Sequence, residues 1–222
     1  MMATSTGKGS SSPFDSNAAA YDAWFDGEGK AIFAVELEAL RRVSSGLPRP
    51  WLEVGVGSGR FAQALGIEAG IDPSRKLLKM ARERGIIAFR AQAEEPVFPT
   101  DSFGAVFLIL TLCFVESPAA VLSEAHRILR PEGRLVLGVI TRESPWGRYY
   151  RKKKEGGHSF YRLATFHSYE ETVKMLADAG FKVEKVVSTL FQAPDEAREM
   201  EPAVDGYHAG AGFTVIVAGK GA

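Results

Sequence analysis

Apolar positions along this chain change their period near residue 51. Ahead of that point they recur every three or four residues. Ala20, Tyr21, Trp24 and Phe25 share one helical face behind Ser16, a candidate N-cap. Glycines at 27 and 29 interrupt this helix, and a second helix begins at Lys30 with Phe33, Leu37 and Leu40 on its stripe. Pro48 and Pro50 end the helical segment. From Trp51 onward, short apolar runs alternate with helical stretches. The runs at 52–54, 69–72, 86–91, 105–112 and 135–140 read as strands. Residues 60–65, 74–84 and 118–129 read as the intervening helices, with Pro73 suited to the start of the second. The run at 105–112 is almost unbroken, as in a central parallel strand covered on both faces. A helix at 168–179, capped by Ser168 and stopped by Gly180, precedes two strands, 182–191 and 212–218, with no helix between them. Strands joined without a crossover helix are most simply antiparallel. The pattern predicts a doubly wound α/β fold: a mostly parallel, seven-stranded sheet with an antiparallel last strand.

Composition narrows the function classes. The 222 residues carry 27 basic and 27 acidic side chains, so nothing in the charge balance argues for a nucleic-acid partner. The basic run at 151–154 reads as a solvated face. One cysteine excludes an internal disulfide and an all-cysteine metal site. No apolar stretch is long enough for a membrane helix, and the first residues lack the apolar core of a signal peptide. The expectation is a cytoplasmic protein with a disordered tail at 1–13 and a single domain at 14–222. Within it, 14–48 would form a helical lid, 51–140 a cofactor-binding core, and 141–222 the substrate-side loops and antiparallel pair.

The chemistry concentrates after the first strand. Gly55, Gly57 and Gly59 follow Leu52-Glu53-Val54, and Asp72 closes the next strand. Glycines at a strand-to-helix turn let a ligand approach the main chain, and an acid at the end of the second strand suits ribose hydroxyls. The spacing departs from a dinucleotide site, since Arg60 stands where the last small residue belongs. Glu53 would repel a pyrophosphate but suits a cationic ligand such as S-adenosylmethionine. A nicotinamide-dependent oxidoreductase and a non-catalytic cofactor-binding protein are the alternatives.

Residues 51–140 resemble the core of class I S-adenosylmethionine-dependent methyltransferases, most closely the small-molecule group (type 11) that includes ubiquinone- and menaquinone-biosynthesis enzymes. The resemblance is carried by 53–59, by Asp72, by Ala91-Gln92-Ala93-Glu94, by the segment from Ser102 to Pro118, and by 126–135. Gly104 departs from the aspartate common there, and Cys113 and Phe114 stand where a histidine is frequent. The resemblance implies that Gly55, Gly57 and Gly59 lie against the methionine and ribose of the cofactor. Asp72 would bind the ribose, Ala93 and Glu94 would flank adenine, Leu110 and Thr111 would lie beneath, and Tyr21 would close over the methionine end. Glu53, Val56 and Pro73 complete the implied cofactor set.

Three segments would reach the carboxyl edge of the sheet, where ligands bind in such folds. These are 111–115, the aromatic-rich 141–167, and 192–211. With the N-terminal helix they would form a lid over an apolar acceptor pocket that includes Trp24, Cys113, Phe114, Phe160, Tyr161 and Tyr207. Candidate bases are His158, His167, Tyr207 and His208, whereas His126 reads as structural. The histidines and cysteine have no metal-ligand spacing. The expected partner is a small-molecule methyl acceptor, and the expected state a monomer or homodimer.

Overall fold

The computed structural model describes residues 13–221. The tail expected at 1–13 therefore lies, apart from Pro13, outside the described residues. Three helices come first: α1 (Pro13–Ser16), α2 (Ala18–Trp24) and α3 (Lys30–Ser44). Ser16 ends α1, and the residue before α2 is Asn17, so the expected cap at Ser16 is corrected.

The alternating region follows the predicted order. Strands β1 (Trp51–Val54), β2 (Ala69–Asp72), β3 (Ile87–Arg90), β4 (Phe103–Ile109) and β5 (Leu129–Val139) are separated by α4 (Arg60–Leu65), α5 (Arg75–Glu83) and α6 (Pro118–Ile128). Ser74 caps α5 by accepting from the Leu77 amide, and Ser117 caps α6 through the Ala120 amide. The fifth strand begins earlier than its apolar run. Phe103 pairs with Leu129 and Ala105 with Arg134, so the Arg-Pro-Glu-Gly stretch bulges out between them. Gly104 lies at this shift, where a Cβ would stand 2.2 Å from the Pro48 carbonyl oxygen.

Beyond β5 come α7 (Pro145–Glu155), a 3-10 turn at Tyr161–Leu163, and α8 (Tyr169–Asp178). Ser168 and Glu171 form a reciprocal capping box at the start of α8. Strands β6 (Phe181–Thr189), β7 (Val204–Asp205) and β8 (Phe213–Lys220) complete the sheet. Its order is β3-β2-β1-β4-β5-β8-β6-β7, parallel from β3 to β5 and antiparallel beyond. The eighth strand, absent from the expectation, is the two-residue β7 on the edge of β6. Successive strand residues face opposite sides. Phe107, Val136 and Val215 pack toward α3, α4 and α7, while Val106, Leu137 and Ile216 pack toward α6 and α8. No helix among the described residues is long and apolar enough to cross a membrane.

Candidate active site

The carboxyl ends of β1, β2 and β4 open into a cavity of about 920 Å³. Its floor is the turn between β1 and α4. The amides of Gly55 and Val56 both donate to the Ile71 carbonyl, at 2.8 and 3.0 Å, which pins the turn to β2. Gly55 sits at φ +78°, and a Cβ there would lie 2.4 Å from Thr111 Oγ1. Only glycine fits both the left-handed backbone and the contact with the segment after β4. That segment is itself sharply bent, because Leu110, the residue after β4, sits at φ +55° while its amide donates to the Gly138 carbonyl at 2.8 Å.

Two carboxylates flank the turn. Asp72 Oδ2 accepts from the Gly57 amide at 3.0 Å, and Oδ1 accepts from the Ser74 amide at 2.8 Å. Each oxygen retains a lone pair for a further donor, as a ribose diol requires. Burial pushes the Asp72 carboxyl up, against the pull of these two amides. Glu53 is 2 % exposed, and its Oε2 has no hydrogen-bond partner among the described residues. Burial and then the neighbouring Asp72 raise its carboxyl well above the ordinary range. Two buried acids facing one cavity, one of them with an orphaned oxygen, fit a ligand with positive charge and hydroxyl donors.

The N-terminal helices roof this floor. Asp15 Oδ1 accepts from Ser74 Oγ at 2.6 Å and from the Lys76 amide at 3.2 Å, tying α1 to the start of α5. Asp22 on α2 receives Arg60 Nε and Nη2, both at 2.9 Å, and Arg84 Nη2 at 2.8 Å. Burial pushes the Asp22 carboxyl up, but the Arg60 and Arg84 guanidinium groups outweigh it and hold it far below the usual carboxylate range. Above the cavity, the Phe14 ring meets Tyr21, Phe114 and Phe160 with centroids 5.1–5.7 Å apart. Opposite, Glu94 Oε1 accepts from the Glu116 and Ser117 amides at 3.2 Å, joining the segment after β3 to the loop after β4.

Comparison with known proteins decides the family. A family profile described as a methyltransferase domain (type 11) matches residues 52–137. A crystal structure from Thermotoga maritima, described as an S-adenosylmethionine-dependent methyltransferase and possible histamine N-methyltransferase, is similar at TM-score 0.87. It shares 38 % identity, with 94 % of this chain and 98 % of that chain covered. The chain belongs to the class I S-adenosylmethionine-dependent methyltransferases. An uncharacterised protein of Mycobacterium tuberculosis is 45 % identical over 204 residues, covering 91 % of this methyltransferase and 72 % of that protein. A ubiquinone biosynthesis O-methyltransferase of Xanthomonas oryzae is 31 % identical over 147 residues, 59 % of this chain and 62 % of its own. The cofactor of the family is S-adenosylmethionine, and the acidic floor matches its sulfonium and ammonium groups.

In this methyltransferase, most of the residues singled out from sequence meet at the one cavity. Tyr21, Glu53, Gly55, Val56, Gly57, Asp72 and Pro73 line it, as do Ala93, Glu94, Leu110 and Thr111. Gly59 does not. It faces away, and a Cβ there would stand 3.1 Å from the Ala81 Cα and Cβ, so its role is to let α4 start close against α5. Trp24, Cys113, Phe114, Phe160 and Tyr161 line the end nearer α3 and α7. Burial pushes the Cys113 thiol up to about 12.

Tyr207 is not on the cavity wall. Its ring stacks on Tyr169 at 4.0 Å, and its hydroxyl donates to Glu143 Oε1 at 2.6 Å. His208 is exposed, with Nε2 3.1 Å from the Asp205 carbonyl. His167 lies off the cavity too, with an orphaned Nε2. For Tyr207 and His208 the reason is that the two-residue β7 just before them pairs with β6 at the sheet edge; of 192–211 only Pro194 reaches the cavity. Of the four proposed bases only His158 lines it, its imidazole held below the ordinary value by burial and then by Lys153. His126 packs on Phe181 at 5.1 Å.

The sequence reading missed two features. The first is α7, which carries Trp146 and Tyr150 into the cavity wall. The second is Glu36, buried on α3 and facing the same space. A carboxylate four residues from Ile32 and four from Leu40, on the inward stripe of an amphipathic helix, was the available signal.

Proposed function

We propose that this methyltransferase acts on a small molecule with a partly apolar body, by in-line displacement. One observation carries the reading. The acidic, glycine-floored compartment runs without a partition into an aromatic compartment, and both lie under the same helical roof. The combined volume of about 920 Å³ suits a cofactor and a compact acceptor together. The printed descriptions of the Thermotoga and Xanthomonas relatives, a possible histamine N-methyltransferase and a ubiquinone biosynthesis O-methyltransferase, also point to small acceptors.

In this reading residues 14–48 act as the lid, 51–140 hold the cofactor, and α7 with the 3-10 turn shapes the acceptor end. Bound S-adenosylmethionine supplies the activated methyl group. Asp72 takes the ribose hydroxyls, and Glu53 offers its orphaned oxygen to the cationic end. Ala93 and Glu94 flank the adenine, and Leu110 and Thr111 support it from below. Tyr21 and Trp24 close over the methionine end. Phe114, Phe160 and the Phe14 ring exclude water. Holding two reactants in line supplies roughly 7–11 kcal/mol of barrier lowering, so positioning is the main task of the chain.

The test is turnover with a panel of small oxygen, nitrogen, sulfur and carbon acceptors, read as S-adenosylhomocysteine release. Turnover with at least one class supports the reading. Methylation of protein or RNA substrates, with none of the small acceptors used, refutes it.

A further inference from the structure

Among the described residues Glu36 has no hydrogen-bonding or ion-pair partner. It sits in the middle of α3 and is 2 % exposed, yet it lines the cavity. No hydrogen bond or ion pair reaches its carboxylate from any described residue. Burial alone pushes that carboxyl up to about 8. Buried acids are normally paired or hydrogen-bonded, and an unpaired one in a pocket wall marks a place for a ligand.

Its surroundings say which ligand. The charge of Glu36 is felt by the hydroxyls of Tyr21 on α2, Tyr150 on α7 and Tyr161 on the 3-10 turn. Tyr150 and Tyr161 lie with centroids 4.3 Å apart, Phe166 stacks on Tyr150 at 6.3 Å, and Trp146 lies 5.8 Å from Tyr150. The basic groups on the wall are engaged elsewhere and do not lower the Glu36 value. The Lys153 ammonium sits 4.5 Å over the Tyr149 ring, and Arg60 is held by Asp22 and Asp26. A carboxylate that shares one cavity wall with these aromatic rings suits one chemical class, an ammonium ion. The carboxylate accepts its N–H bonds, and the ring faces add cation–π attraction.

Glu36 is also separate from the cofactor's acids. It stands on α3, whereas Glu53 and Asp72 stand on β1 and β2, and neither of them is among the causes of its raised value. We propose that Glu36 selects the methyl acceptor, and that the acceptor is a small amine with an apolar body, anchored as an ammonium ion against this carboxylate; that nitrogen has no lone pair while so bound, so the methyl group goes to a second nucleophilic atom of the acceptor as S-adenosylhomocysteine leaves. The proposal rests on the small-molecule methyltransferase reading above and adds the substrate class.

The experiment uses the full chain saturated with S-adenosylhomocysteine at pH 8.5, where Glu36 is ionised. Calorimetric titrations compare 2-phenylethylamine, tryptamine and histamine with the neutral 2-phenylethanol. At least one amine is expected to bind tenfold or more tighter than the alcohol. Glu36→Gln is expected to weaken that amine at least tenfold while leaving S-adenosylhomocysteine affinity within twofold. Equal binding of alcohol and amines by the wild type overturns the proposal without recourse to any variant, and so does failure of every amine to bind. Undiminished amine binding by Glu36→Gln overturns it as well. Loss of S-adenosylhomocysteine affinity in that variant assigns Glu36 to the cofactor and also overturns it. A wild-type chain that binds no S-adenosylhomocysteine breaks the earlier reading instead, so the two failures are distinct.

Discussion

Replacing Asp22 by alanine should undock the roof of the cavity without unfolding the sheet. The carboxylate receives three charged hydrogen bonds, two from Arg60 and one from Arg84. Such bonds contribute about 1.5–3 kcal/mol each. The sum overstates the loss, because both arginines keep other acceptors: Arg60 retains Asp26, and Arg84 retains the Ser58 carbonyl at 2.8 Å. Breaking a buried pair costs about 3–5 kcal/mol, and the Asp22 and Arg60 side chains are still 17 % and 18 % exposed, so about 2–4 kcal/mol is expected. That loss falls on the docking of α2, since the sheet has its own core. It corresponds to roughly 30- to 1000-fold in the closed-to-open ratio. Cofactor affinity falls by at most that factor, because a ligand gains only from the competent state. The assay pairs hydrogen exchange over residues 14–29 with calorimetric titration of S-adenosylhomocysteine. Faster exchange and an affinity loss of at least tenfold are expected. Unchanged exchange together with affinity within twofold of wild type refutes the reasoning. Asp26→Ala, at the solvent end of the same network, should leave both measurements nearly unchanged. The depressed folded value of Asp22 also fixes the pH response. Its contribution is fully present above its unfolded value near 3.8, and is lost only as pH falls through the lower folded value.

Glu36 has the opposite sign. Its folded value of about 8 lies above the ordinary 4.5, so the stability it contributes is present below pH 4.5 and is lost as pH rises through 8. Thermal unfolding of Glu36→Gln should match wild type near pH 4.5 and exceed it at pH 8.5, by about 3–5 kcal/mol; identical pH profiles contradict the assignment. Gly55→Ala should destabilise the fold by about 2–4 kcal/mol, from the left-handed backbone and the Thr111 contact together. Adding Thr111→Ala should recover part of that loss in urea unfolding, and strict additivity would show that the two residues do not touch. Cys113, raised to about 12 by burial, should resist iodoacetamide at pH 8 until the protein is denatured; rapid labelling of the folded chain would place the thiol in solvent.

The core of the fold was legible because β1, β2 and β4 are short, mostly apolar runs, the first of them bounded by Pro50 and Gly55. Two of its helices, α5 and α6, start at residues whose side chains cap them, Ser74 and Ser117. The cofactor end was legible for a related reason. Main-chain approach and ribose binding demand particular residue types at particular places, and Gly55 and Asp72 have few substitutes. The acceptor end was harder to read. Helix α7 hides its inward face, Trp146 and Tyr150, behind Pro145 and the run Arg151-Lys152-Lys153-Lys154, which mimic a polar loop. Tyr207 looked like a pocket residue because it lies between glycines in a long connection. Its partners, Tyr169 and Glu143, lie 38 and 64 positions away, beyond the reach of any local pattern. Gly59 belongs to the motif but serves helix packing, a distinction that spacing alone does not contain.

The most direct test of the whole account is calorimetric titration of S-adenosylhomocysteine into the wild-type chain and into Asp72→Ala, with thermal unfolding to verify that the variant is folded. Two hydrogen bonds to an ionised carboxylate, at about 1.5–3 kcal/mol each, predict saturable one-to-one binding by the wild type and a loss of at least 100-fold in the variant. Equal affinity in the two proteins, or no heat of binding in the wild type, would contradict the assignment of this cavity to the cofactor.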